Sequence, residues 1–123
     1  MDVPFVISDA DMKAFSALSG DASPIHMNAD IARAAGFDGP VVFGALIVAK
    51  ISKLLGMDLP GPGGVWAGLK IDFKNPLYVD EAAVLHGEIE HCSEATGMVS
   101  LKIRVDAGSR RIATASAETV FTP

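Results

Sequence analysis

The hydrophobic period of the chain changes at Gly64. Before it, apolar residues come in blocks broken by Gly and Pro; after it, they recur at every second position almost to the end. Side chains of a strand point alternately to opposite faces, so this period marks strands with one buried face. Val65, Ala67, Leu69, Ile71 and Phe73 make the first such run. Ala82–His91, Met98–Asp106 and Arg111–Phe121 repeat it, with turns at Gly97 and Gly108-Ser109. Helices first and then a run of four antiparallel strands predict an α+β architecture, with one long helix packed on a curved antiparallel sheet.

The first half supplies the helices. Pro4–Ile7 reads as a short first strand. Ser8 with Asp11 three residues on reads as a helix start, and the helix runs to about Leu18, stopping before Gly20. Asn28 caps a short helix over Ala29–Ala35 that Gly36 ends. The long helix spans about Phe43 to Leu55, with Gly56 as its stop and a Pro/Gly loop following. Its residues are apolar nearly all round, so it is expected to be mostly buried. Lys50 and Lys53 mark its exposed stripe. Ser52 lies about 200° around from Lys50 and is therefore expected to face inward. There its hydroxyl needs a partner, either the Val48 carbonyl or a site.

One domain over residues 1–123 is the expectation for a chain of 123 residues. Half of them are apolar, enough for a core, yet a domain this small gains from burying more surface in a homodimer. The net charge of −5 with scattered Lys and Arg argues against nucleic acid as a partner. A single cysteine, Cys92, excludes an internal disulfide and suits a reducing compartment. No secretory signal is evident, and the longest apolar stretch, Val41–Ile51, is too short to span a membrane. The expectation is a soluble, cytoplasmic protein. The histidines lack metal-ligand spacing, and His86 and His91 are expected on opposite faces of one strand, so no metal is predicted. The Pro-Gly-Pro-Gly-Gly run at 60–64 lacks the ending of a phosphate loop. Trp66 and Phe73, at odd spacing on one strand, are expected on different sides and in packing roles.

Chemistry concentrates in residues 18–26. Asp21 and His26 stand five apart with Pro24 between them. A continuous helix would set them about 140° apart, and Pro24 biases Ser23 away from helical geometry. A bent loop in which carboxylate and imidazole converge is the better reading. Such a pair can position one water and move one proton.

The run Leu18-Ser19-Gly20-Asp21-Ala22-Ser23-Pro24-Ile25-His26 resembles the hydratase motif of the MaoC-like (R)-specific enoyl-CoA hydratases, Ser-Gly-Asp-x-Asn-Pro-x-His, with Ser23 in place of Asn. Gly39-Pro40-Val41-Val42-Phe43-Gly44-Ala45 resembles that family's Pro-Ile-Val-His-Gly-Met entry into the central helix, with Phe43 in place of His. Phe73–Val79 resembles the segment after it, and the likeness covers about residues 11–121. The resemblance implies a hot-dog fold and reversible hydration of trans-2-enoyl-CoA to (R)-3-hydroxyacyl-CoA in fatty-acid metabolism, without a cofactor. It implies Asp21 and His26 as the catalytic dyad and the Gly44 N–H as the oxyanion site. Ser52 would line the site, and Ser23 and Phe43 would shape the substrate-binding wall. A helix start suits the oxyanion role, because its first N–H groups lack intrahelical partners and its dipole is positive there. Two alternatives remain: an acyl-CoA thioesterase of the same fold and a non-catalytic acyl-thioester-binding module. Thioesterases on this fold typically place a carboxylate on or near the central helix, and positions 43–55 hold no Asp or Glu.

Overall fold

The computed structural model describes residues 1–122. In chain order it contains β1 (Asp2–Phe5), α1 (Asp9–Ser19), α2 (Pro24–Met27), α3 (Ala29–Ala34), α4 (Gly44–Lys53), a π-helical turn (Leu54–Asp58), β2 (Gly64–Phe73), β3 (Ala83–Cys92), β4 (Met98–Ala107) and β5 (Arg110–Phe121). The strands form one antiparallel sheet in the order β1-β3-β4-β5-β2. Helices precede the main strands, as the change of period requires. β2 and β3 are consecutive in sequence but far apart in the sheet. The segment 74–82 therefore crosses from one side of the sheet to the other, and it pairs on the way with the chain entering α4. Val42 N–H donates to the Leu77 carbonyl at 2.8 Å, and Val41 forms an isolated bridge with Tyr78.

The caps behave as their side chains dictate. Ser8 Oγ accepts from Asp11 N–H while the Asp11 carboxylate accepts from Ser8 N–H, closing a capping box on α1. Gly20 takes the left-handed conformation (φ 79°) that ends α1. Asn28 Oδ1 accepts from Ile31 N–H and starts α3. α4 ends two residues earlier than expected, and Gly56 is not its stop. Gly56 lies inside the π turn, whose wider winding is closed by Leu59 N–H on the Leu54 carbonyl at 2.7 Å.

Three strands carry bulges, and these alter the faces that a strict period of two assigns. On β5, Thr119, Ala117, Ala115 and Ala113 alternate along one face. Their β2 partners are Trp66, Leu69, Ile71 and Phe73. The irregularity between Trp66 and Gly68 adds one residue, so Trp66 shares the face of Phe73 instead of opposing it. Val65, expected inside, is 65% exposed. A bulge between Ile89 and His91 on β3 likewise brings His91 onto the face of His86, since their β4 partners are Ser100 and Arg104. A third sits on β5, where Val105 pairs with Ala113 but Asp106 pairs with Arg111.

α4 and the π turn pack Ile47, Ile51, Leu54 and Leu55 on the sheet with Leu85, Leu101, Ile103 and Val105. Each such side chain contributes about 1.5–3 kcal/mol when fully buried. Close approach needs small residues beneath: Ala113 and Ala117 on β5, and Gly87 on β3. A Cβ on Gly87 would lie 2.7 Å from Leu54 Cδ2. The helix is less buried than its composition suggests. Ile47, Ile51 and Leu54 recur at helical spacing and define the inner stripe, so Ala45, Ala49 and Ser52 face outward and are exposed. Ser52 is thus not inward-facing. The pair Lys50 and Lys53 misplaced the outer stripe, because Lys50 is half-buried at its edge. Gly87→Val is expected to destabilise the protein by about 1–3 kcal/mol through overpacking against Leu54, read as a lower urea midpoint with unchanged slope.

Candidate active site

Residues 18–28 form two short elements set at an angle. Once Gly20 has ended α1, Ser19 Oγ donates to the Phe15 carbonyl at 2.7 Å and accepts from Asp21 N–H at 3.0 Å, turning the chain back. Ser23 holds φ −52° and ψ 132°, outside helical geometry, and Pro24 opens α2 at its first position. His26 is therefore not on a loop but within a single helical turn, with its N–H on the Ser23 carbonyl at 3.0 Å. Asp21 stands outside that turn, at the surface.

The Asp21 carboxylate is held by Ser23. Its Oδ1 accepts from Ser23 N–H at 2.9 Å and from the Ser23 hydroxyl. These bonds favour the ionised form and hold the Asp21 carboxyl below the usual carboxylate range, with His26 adding a smaller lowering. Ser23 thus acts on Asp21 through both its N–H and its hydroxyl. An Asn at this position would offer an amide in place of that hydroxyl.

His26 is fixed through its other edge. Nδ1 lies 2.5 Å from the Val41 carbonyl. A carbonyl only accepts, so Nδ1 carries the proton and, in the neutral ring, Nε2 is left as an acceptor. The imidazole stacks on Phe43, with ring centroids 4.3 Å apart and planes at 26°. Phe43 packs in turn against Phe15 at 4.7 Å. Phe43 is only 2% exposed and lies behind the histidine, so it is not the apolar substrate wall expected of it.

His26 and Gly44 line one cavity of about 490 Å³, with Val42, Ile47, Leu77 and Phe73. Gly44 is the first residue of α4, and no side chain caps that helix. A Cβ on Gly44 would come within 2.9 Å of the Phe73 ring, so glycine lets the rim of the cavity close over the helix start. Lys74 and Asn75 continue that rim. Sequence reasoning missed the crossing segment as a wall of the site, although Phe73–Val79 carried the resemblance. Asp21 and Ser52 do not line this cavity. Among the described residues no hydrogen bond joins Asp21 to His26.

Arg110 secures the crossing segment. Its guanidinium binds Glu81 at 2.6 and 3.0 Å and the Pro76 carbonyl at 2.5 Å, and it lies 5.7 Å from the centre of the Tyr78 ring. Arg110 holds the Glu81 carboxyl below its ordinary range. A separate concavity of about 370 Å³ lies over β3 and β4, lined by Asp2, His86, Glu88, Lys102, Arg104 and Arg111. Its charges are largely spent on one another. His86 Nδ1 lies 2.5 Å from Asp2, and Arg104 and Arg111 both bind Asp106. Met1, Ile103 and Ala115 also line it, and it shares no lining residue with the cavity of His26 and Gly44.

A long helix against one face of a five-stranded antiparallel sheet, with an imidazole and a helix start on a common cavity, defines a hot-dog domain. The family model "MaoC like domain" matches residues 2–109, and the chain belongs to that family. It is 33% identical over 96 residues to an (R)-specific enoyl-CoA hydratase of Aeromonas caviae, covering 78% of this chain and 72% of that protein. It is 36% identical over 75 residues to an (R)-specific enoyl-CoA hydratase of Rhodospirillum rubrum, covering 61% of this chain and 52% of that protein. The solved (R)-hydratase from A. caviae involved in PHA biosynthesis superposes with a TM-score of 0.93 at 28% identity, over 99% of this chain and 93% of that one. R-hydratase PhaJ1 from Pseudomonas aeruginosa superposes with a TM-score of 0.89 at 25% identity, over 98% of this chain and 78% of that one.

Ser23→Ala removes one of the two bonds on Asp21 Oδ1. The Asp21 carboxyl is then expected to titrate at higher pH than in the wild type, followed by carbon-13 NMR of its carboxyl. An unchanged titration would mean that the hydroxyl does not hold the carboxylate.

Proposed function

We propose that the protein is a hydro-lyase that adds water reversibly across the double bond of a trans-2-enoyl-CoA, giving the (R)-3-hydroxyacyl-CoA, as a single MaoC-like domain over residues 1–123. The names of its relatives support the reaction class. The observation that carries the reading is His26: its Nδ1 is tied to the Val41 carbonyl, its Nε2 is an acceptor, and it shares an apolar cavity with the start of α4. In this reading the thioester carbonyl accepts from the Gly44 N–H. The helix start there stabilises the enolate-like charge that develops on the oxygen. Asp21 and His26 hold the water.

The Val41 carbonyl holds the Nδ1 proton of His26, which leaves Nε2 as the ring atom that can take a proton, and the bonds from Ser23 favour the ionised Asp21 carboxylate. In this reading the proton that C2 receives is the one the water loses. Water adds its OH to C3, the dyad takes the released proton, and the dyad returns it to C2 on the same face. The net change is H and OH across one double bond, and no external acid is consumed. The (R) outcome and the acyl-CoA carrier are taken from the relatives' names.

We place the working unit as a homodimer. Asp21 is exposed in the single chain, whereas proton transfer at an enolate benefits from exclusion of bulk water. Leu18, Met27 and Ile31, close in sequence to Asp21 and His26, are 87%, 37% and 46% exposed, apolar side chains that a second copy would cover. Among the described residues no helix is long and apolar enough to cross a membrane, and the one cysteine is free. Both fit the cytoplasmic location we assign. The thioesterase alternative is disfavoured by α4, which carries no Asp or Glu.

Asp21→Asn and His26→Ala are each expected to cut hydration of crotonyl-CoA at least about a hundredfold, the scale for losing a general acid or base, while unfolding midpoints stay near wild type. Loss of enoyl absorbance is the assay. Wild-type rates in either variant would overturn the catalytic assignment of that residue, and a wild type that hydrates no enoyl-CoA would favour an acyl-binding module without catalysis. Sedimentation is expected to give a dimer at micromolar concentration, and an active monomer would overturn the assembly.

A further inference from the structure

We propose that Phe43 is the positioning residue of the site, the side chain that holds the His26 imidazole in the orientation and tautomer the reaction uses. The proposal rests on the hydratase reading for its kinetic consequence but not for its structural content. Two contacts among the described residues hold the His26 ring. One is the Val41 carbonyl on Nδ1, and the other is the face of Phe43 at 4.3 Å and 26°. A hydrogen bond on one nitrogen leaves the ring free to swing about that axis. A flat surface against its face removes that freedom. Phe43 is itself immobilised: it is 2% exposed, and Phe15 packs on it at 4.7 Å, so the rigidity of the core reaches the imidazole through two rings.

The backbone of Phe43 does a second thing. Phe43 is the residue before the first turn of α4, with φ −56° and ψ 128°, and its carbonyl accepts the Leu46 N–H at 2.9 Å. The next peptide N–H is that of Gly44. One residue therefore sets both the ring behind the base and the direction of the helix start. Immediately before Phe43 lies the segment Val41-Val42, whose Val41 carbonyl binds His26 and whose Val42 N–H is anchored to Leu77. A single rigid run of three residues thus fixes the relative position of imidazole and helix N–H. Reaction geometry depends steeply on such placement. A ring at position 43 suffices for this role, and its edge chemistry is unused because the side chain does not line the cavity.

The test compares Phe43→Leu, which removes the ring, with Phe43→Tyr, which keeps it, and with Leu101→Val, a core change on β4 remote from the site. Two readouts are taken: kcat and KM for crotonyl-CoA, and the nitrogen-15 NMR signature of the His26 imidazole in the free protein. Phe43→Leu is expected to lower kcat about tenfold, the scale of one aromatic pair, with KM within about twofold. It is also expected to turn a single Nδ1–H tautomer into a mixture. Phe43→Tyr is expected to keep the wild-type tautomer and a kcat within about threefold of wild type. Leu101→Val is expected to lower the melting temperature without either change. A Phe43→Leu protein with the wild-type tautomer overturns the proposal, as does a Phe43→Tyr protein that loses as much kcat as Phe43→Leu. If the wild type hydrates no enoyl-CoA, the functional reading fails alone, because the imidazole spectrum of Phe43→Leu still decides whether the ring holds His26.

Discussion

The pairing of the crossing segment with the chain entering α4 is the contact on which the site depends. β2 and β3 lie in different parts of the sheet, so residues 74–82 must span it. Their passage is fixed by Val42 N–H on the Leu77 carbonyl and by Arg110, whose guanidinium ties Glu81 and the Pro76 carbonyl to the start of β5. With that segment in place, Leu77 and Phe73 wall the cavity, Val41 is held where its carbonyl meets His26, and α4 starts beside them. The ion pair is partly buried and bidentate, a geometry in which Arg is worth more than a point charge.

Asp21 and His26, the two residues of the proposed dyad, are held in different ways. Asp21 is exposed and is tuned by short-range hydrogen bonds from its neighbour Ser23. His26 is half-buried and is positioned from a distance in sequence, by Val41 and by the Phe43–Phe15 stack. The first arrangement survives in a short stretch of chain. The second exists only when α1, α2 and the entry to α4 are packed together. Both departures from the usual motif, Ser23 and Phe43, fall on these supporting groups: each changes a side chain that holds Asp21 or His26, and neither changes Asp21 or His26 itself.

The sheet's bulges show how local deviations reassign side chains wholesale. One extra residue near Trp66 sends Val65 outward and turns Trp66 toward the core. Another on β3 brings His91 to the side of His86. Both errors of face came from extending an alternation across a residue that the partner strand does not match. A bulge is decided by the register of two strands, and one strand's sequence does not contain the other. The orientation of Ser52 failed for a related reason. Small residues such as Ala45 and Ala49 are apolar yet sit outside, so the buried stripe of α4 follows the large side chains and not the count of apolar ones.

By itself the sequence determined what depends on near neighbours. The capping box of Ser8 and Asp11, the left-handed stop at Gly20, the Asn28 cap, the break at Pro24 and the period-two strands are all settled by a few adjacent residues, and all appear where local chemistry puts them. The motif around Asp21 and His26, with Gly44 after Phe43, carried the family in the same way. Only tertiary structure decided the strand order, the crossing of residues 74–82, the inner stripe of α4 and the role of Phe43. These depend on which surfaces meet. That is a choice made by burying the large side chains of α4 and the π turn against the sheet, with Gly87 giving way to Leu54, and it is written in no single segment of the chain.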